Sequence, residues 1–125
     1  MLPDGVHFTV PGDLNLEYSQ VTSLGALQSV GGSLYLYGTQ VTSLGDLQTV
    51  GGSLFLNGTP ITSLGKLQSV GETYVDGQGY ISLKEAKEAF QSYRDRVSAL
   101  DPEDLPRRLL KATHKWQKAI IKESL

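Results

Sequence analysis

The sequence predicts an α/β repeat solenoid, a stack of coils with short parallel strands, followed by two C-terminal α-helices. Three observations predict it. A unit of about twenty residues recurs as GDLNLEYSQVTSLGALQSV from Gly12, GGSLYLYGTQVTSLGDLQTV from Gly31 and GGSLFLNGTPITSLGKLQSV from Gly51. Leucines hold fixed places in it, so that Leu14, Leu34 and Leu54 are spaced by 20, as are Leu24, Leu44 and Leu64. From Ser82 the apolar period becomes that of a helix. A fixed period in this range marks a solenoid, each unit being one coil resting on its neighbours. Residues 1–81 are thus read as the solenoid and 82–125 as a helical cap and tail.

Residues 2–12 read as a degenerate first coil. Val10 precedes Val30 by 20, but Asp4 and His7 stand where later coils carry Leu24 and Leu27. Terminal repeats depart from consensus because one face meets solvent. His7 is therefore assigned to this cap.

Each full coil opens with Leu-x-Leu: Leu14 and Leu16, Leu34 and Leu36, Leu54 and Leu56. Alternation of period two puts both leucines on one face of a short strand. Gly38-Thr39 and Gly58-Thr59 follow, with Tyr18-Ser19 in the first copy. Glycine admits positive φ there, and the hydroxyl serves backbone groups exposed where the chain turns inward. Val21, Val41 and Ile61 come next, with leucines three and six residues later. That spacing predicts a tight 3₁₀-like or irregular return limb. In the fourth copy Tyr74 stands 20 after Leu54, so the expected last strand, TYVDG, carries Tyr74 inward and Val75 outward.

The run Leu-x-Leu-x-x-Thr-x-Val-x-x-Leu-x-x-Leu-x-x-Val resembles the leucine-rich repeat family in its short form, across residues 2–75. GGSLYLYGTQVTSL is similar to repeat proteins of bacteria and their phages. One departure stands out: Ser19, Thr39 and Thr59 replace the family's usual inward asparagine. A hydroxyl ladder can serve the same groups with a different curvature, and a receptor-L-domain-like or plain β-helix cross-section is also compatible. The resemblance implies that the strand face is the ligand surface; a short chain with little beyond the solenoid is expected to be a phage or bacterial inhibitor or effector.

Ser82-Leu83-Lys84-Glu85 fits a capping box. Leu83, Ala86, Phe90, Tyr93 and Val97 then form one apolar stripe, and Ser82–Val97 is read as the solenoid's C-terminal cap. Asp101-Pro102 ends that helix. A second helix is expected over 103–123, with Leu105, Leu109, Ala112, Trp116 and Ile120 on one side. Arg107, Arg108, Lys111, Lys115, Lys118 and Lys122 share the other, as a possible basic docking face.

Composition narrows the function. No cysteine is present, so neither a disulfide framework nor a thiolate metal site is expected. The start MLPDGVHFTV has neither a basic nor an apolar leader region, and no run approaches a membrane span. A soluble cytoplasmic protein is the expectation. Residues 1–81 hold one base against six acids, net −5; residues 82–125 hold ten bases and seven acids, net +3. The two parts carry opposite charge.

No catalytic constellation emerges. His7 and His114 lie in different parts without metal-spaced partners, the Gly-Gly pairs lack a phosphate-loop lysine, and the repeating serines lack a nucleophile elbow. Neither enzyme activity nor a cofactor nor a metal is expected. The outward strand residues form columns instead: Asn15, Tyr35, Phe55 and Val75 in one, Glu17, Tyr37 and Asn57 in the next. Exposed aromatics of this kind suit a protein interface. Three other readings stay open: internal packing, with the C-terminal helices folded back over the patch; self-assembly, including a homodimer; and docking of nucleic acid or an acidic partner on the basic face of 103–123.

Overall fold

The computed structural model describes residues 8–125, so the expected cap residues Asp4 and His7 lie outside it. It is a parallel-strand solenoid of about three turns closed by helices. The strands are β1 (Phe8–Val10), β2 (Leu14–Asn15), β3 (Leu27–Val30), β4 (Leu34–Tyr35), β5 (Thr49–Phe55), β6 (Ser69–Val75) and β7 (Gly79–Ile81). They join in one sheet ordered β1-β3-β5-β4-β2, with β6 on β5 and β7 on β6.

Leu14, Leu34 and Leu54 are register partners, which puts the twenty-residue period directly into strand pairing. Val30 and Val50 pair in a second parallel ladder, continued by Val10 and Val70. The return limb is therefore not wholly irregular, since it ends in strand. Turns closed by Leu47 N–H to Leu44 O (3.1 Å) and Leu67 N–H to Leu64 O (3.1 Å) make its corners. Leu34, Leu36, Val41, Leu44, Leu47 and Val50 of the middle coil are all buried. Fully burying one such side chain contributes about 1.5–3 kcal/mol, so the coils are held mainly by this leucine interior.

The predicted hydroxyl turn forms in the second and third coils, whereas in the first the Ser19 hydroxyl is buried without a partner among the described residues. Thr39 and Thr59 Oγ1 donate to the Leu36 and Leu56 carbonyls at 2.9 and 2.7 Å. Gly38 and Gly58 take φ of +73° and +66°. Tyr18, at the same position in the first coil, is held at +55°, a conformation few side chains adopt.

The fourth coil departs from expectation. Val50 pairs with Val70, but Ser53 pairs with Glu72, Leu54 with Thr73 and Phe55 with Tyr74. One residue has dropped out of the Gly-Gly-Ser corner, and a one-residue slip reverses every side chain that follows. Tyr74 consequently faces outward, and Val75, expected outward, is buried at 1% exposure. Thr73 enters the leucine column, its hydroxyl buried without a partner among the described residues.

Three helices follow rather than two: α1 (Leu83–Ser98), α2 (Leu105–Lys111) and α3 (Lys115–Glu123), with a 3₁₀ turn at Pro102–Asp104. The expected 103–123 helix breaks because Ala112 and His114 are extended, with ψ of 135° and 142°. Ala86, Phe90 and Val97 bury the α1 stripe, joined by Leu105, Trp116, Ile120 and Ile121. The helices close the end of the stack: α1 rests on β6 and α3, the Trp116 indole donates to Asp76 O at 2.9 Å, and Arg94 donates to Thr62 O.

The capping box is complete. Glu85 N–H donates to Ser82 Oγ at 3.1 Å, and Ser82 N–H to Glu85 Oε1 at 3.0 Å. Accepting from the Ser82 backbone N–H, and secondarily from its hydroxyl, holds the Glu85 carboxyl below its usual range. Replacing Ser82 by alanine is expected to remove about 1 kcal/mol, read as a lower urea midpoint at constant slope.

Candidate functional site

The outer face of the sheet is the candidate site, and strand alternation builds it. Position by position along the coils, Asn15, Tyr35, Phe55 and Tyr74 form one outward column. β7 runs antiparallel beside β6 and sets Tyr80 opposite Tyr74. The Tyr35 and Phe55 rings stack at 4.9 Å and 7°, as parallel strands about 4.8 Å apart require. Tyr80 meets Phe55 and Tyr74 edge to face at 6.2 and 4.8 Å.

The next column holds Glu17, Tyr37, Asn57 and Asp76. Tyr18 and Tyr37 meet edge to face at 5.2 Å. The Tyr18 phenol is held above its ordinary pKa by its hydrogen bond with Tyr37, with lesser contributions from desolvation and the nearby Tyr37 and Glu17 charges. Five of the chain's six tyrosines thus lie on or beside one face, while the coil interior is built from leucine, isoleucine and valine. Tyr18, Tyr80 and Tyr37 are 71%, 59% and 39% exposed, and Tyr35, Phe55 and Tyr74 are half-buried against one another.

The C-terminal helices do not cover this face. Their own aromatic cluster is separate, with Trp116 edge to face on Phe90 (5.0 Å) and Tyr93 (5.4 Å). Six of the seven expected face residues, Asn15, Glu17, Tyr35, Tyr37, Phe55 and Asn57, therefore stand in the outward columns. Val75 leaves the site because of the register slip, and Tyr74 takes its place. Tyr80 and Tyr18 join it without having been singled out. Aligning Thr73-Tyr74-Val75 with Leu54-Phe55-Leu56 would have matched aromatic with aromatic and revealed the slip.

The six basic residues do not form one row. Arg107, Arg108 and Lys111 lie on α2, and Lys115, Lys118 and Lys122 on α3, with the break between them. The three α3 lysines line a solvent-open groove of about 800 Å³ whose opposite wall includes Gln40, Thr42 and Thr62. His114 is half-buried, its ring against Gly77. Among the described residues, no group of three His, Cys, Asp or Glu side chains could hold a metal, and no helix is long and apolar enough to cross a membrane.

The chain matches no protein-family model, and comparison with curated proteins and with solved structures returns no match.

Proposed function

We propose that the chain is a protein-binding module that engages a partner through its aromatic strand face. One observation carries this reading: the tyrosines lie on and beside the sheet, outside the core, with Tyr37 and Tyr80 open to solvent. Tyrosine brings large contact area at low rotamer cost, and a rigid platform loses little entropy on binding. Binding without a reaction of its own fits a phage or bacterial inhibitor or effector. Occupying a partner's surface is all such a protein must do. A cytoplasmic site of action belongs to the same proposal.

The test compares the wild type with a Tyr37→Ser/Tyr80→Ser variant, by capture from cell extract and by thermal melting. Both residues are exposed, so each substitution is expected to change stability by no more than about 0.5 kcal/mol. Partner recovery is expected to fall at least roughly tenfold, the effect of losing about 1.4 kcal/mol of interface energy. Undiminished recovery of every captured protein would overturn the proposal. A Tyr35→Ser/Phe55→Ser variant is expected to lose both partner and some stability, because that stack is half-buried.

A further inference from the structure

The outer face is one-sided in charge. Its first column runs Asp13, Ser33, Ser53, Glu72, tied by Ser33 N–H to Asp13 Oδ1 (2.7 Å), Ser53 N–H to Ser33 Oγ (3.0 Å) and the Ser53–Glu72 register pair. Its third runs Glu17, Tyr37, Asn57, Asp76. The aromatic column lies between them. Carboxylates therefore stand at all four corners, and no lysine or arginine occurs in any of the three columns.

Two corners are occupied by the fold itself. Asp13 accepts from Ser33 N–H, and Asp76 Oδ2 accepts from Gly58 N–H at 2.7 Å. The other two, Glu17 and Glu72, are exposed, and neither takes part in a salt bridge among the described residues. Asn57 Oδ1 is buried without a donor among those residues, so the free acceptors of the face are the two glutamates. The face thus offers π-faces and acceptors, and lacks cations.

The geometry points to an arginine-bearing extended segment of a partner protein as the occupant of this face. The inference rests on the protein-binding reading above. A guanidinium is planar, stacks on aromatic rings and donates in a fork that matches a carboxylate, whereas an ammonium is a compact, strongly hydrated charge. Three strand spacings, and four residues along each coil from the start of its strand into the following turn, make the rectangle roughly 14 by 13 Å. Glu17 and Glu72 are diagonal corners, roughly 19 Å apart, which an extended chain crosses in about six residues. Two arginines at that separation can each reach a free carboxylate while the segment between them lies over Tyr35, Phe55 and Tyr74.

The test titrates the full chain with a labelled glycine–serine peptide carrying two arginines about six residues apart, followed by fluorescence anisotropy. The same peptide with lysines, or with glutamates, serves for comparison. The arginine peptide is expected to bind, the lysine peptide about threefold or more weakly, and the glutamate peptide not at all. Glu17→Gln/Glu72→Gln is expected to weaken arginine-peptide binding roughly fivefold, and added salt to weaken it further. Equal binding of all three peptides, no binding of the arginine peptide, or indifference to the Glu17/Glu72 substitutions would each overturn the inference.

Extract capture separates the two proposals. A partner lost with Tyr37→Ser/Tyr80→Ser but retained by Glu17→Gln/Glu72→Gln would leave the binding module standing and sink the arginine segment. Self-association abolished by the glutamate substitutions would instead give the face to the basic helices of a second copy, which also overturns it.

Discussion

Gly51→Ala is expected to destabilise the chain by roughly 3 kcal/mol, the upper range for forcing an atom into a space already filled. A Cβ at Gly51 would lie 2.1 Å from the Gly31 carbonyl oxygen, and at Gly31 it would lie 2.2 Å from the Pro11 oxygen. Carbon–oxygen contacts settle near about 3.3–3.6 Å. The obstructing atoms are backbone, so no rotamer change relieves the clash. Neighbouring hydrogen bonds fix the coil spacing, with Gly31 N–H to Val10 O at 2.7 Å and Gly52 N–H to Gly32 O at 2.9 Å. The coils must separate at this corner or lose those bonds. Because Gly51 belongs to β5 together with Phe55, the shift would also disturb the Tyr35–Phe55 stack, and partner affinity should fall with stability. Gly12→Ala is the matched control, since a Cβ there meets nothing within 4 Å. Urea unfolding of both variants decides the matter: a Gly51→Ala protein within about 0.5 kcal/mol of wild type would show that close glycine stacking does not set the coil spacing.

That glycine corner also explains what the residues alone could and could not reveal. The inward columns were legible because each of Leu34, Leu36, Val41, Leu44, Leu47 and Val50 recurs at the same offset, and stacking turns an offset into register. The hydroxyl turn and the Ser82–Glu85 box were legible for a different reason: both are local, closed by groups within three residues. The slip in the fourth coil is not local. It arises where Gly71-Glu72 replaces Gly51-Gly52-Ser53, and only pairing with β5 shows which residue was lost. A fixed period of 20 carried past that point reverses the strand, which is why Tyr74 and Val75 exchange faces. Tyr80 could not be placed on the site at all without knowing that β7 turns back antiparallel.

The helix break was equally invisible. Leu105, Leu109, Ala112, Trp116 and Ile120 keep an uninterrupted helical spacing, and nothing in that pattern marks Ala112–His114 as extended. The structure supplies a tertiary setting for the break. His114 packs on Gly77, where a Cβ would come within 2.6 Å of its Nε2, and Trp116 turns its indole toward Asp76. A straight helix would carry α2 and α3 along one line, whereas the break lets α3 pack beside α1 over the end of the stack. Dividing the basic residues between α2 and α3 follows from the same geometry, so the row imagined on one helix becomes two shorter arcs.

Trp116→Ala is expected to remove roughly 3–5 kcal/mol, the usual range for truncating a buried tryptophan. Small domains have about 5–15 kcal/mol in total, so the variant should be only marginally folded. Trp116 is 2% exposed, wedged edge-on between Phe90 and Tyr93 of α1. Its indole N–H is the donor for Asp76 O, tying α3 to the turn after β6. Without that ring, α1 and α3 lose their common packing, and the buried Thr73 and Val75 at the solenoid end lose their cover. In a repeat stack each unit contacts only its neighbours, so the helices should melt at lower urea than the strands, splitting one transition into two. Trp116→Phe separates packing from hydrogen bonding: the ring contact largely survives, the Asp76 carbonyl loses its donor, and the expected loss is about 1 kcal/mol. Both variants lack the chain's single tryptophan, so circular dichroism follows the two parts, at helical wavelengths for the cap and at strand wavelengths for the coils. Coincident transitions in Trp116→Ala, at a midpoint within about 1 kcal/mol of wild type, would mean that the helices do not depend on this residue for their seat.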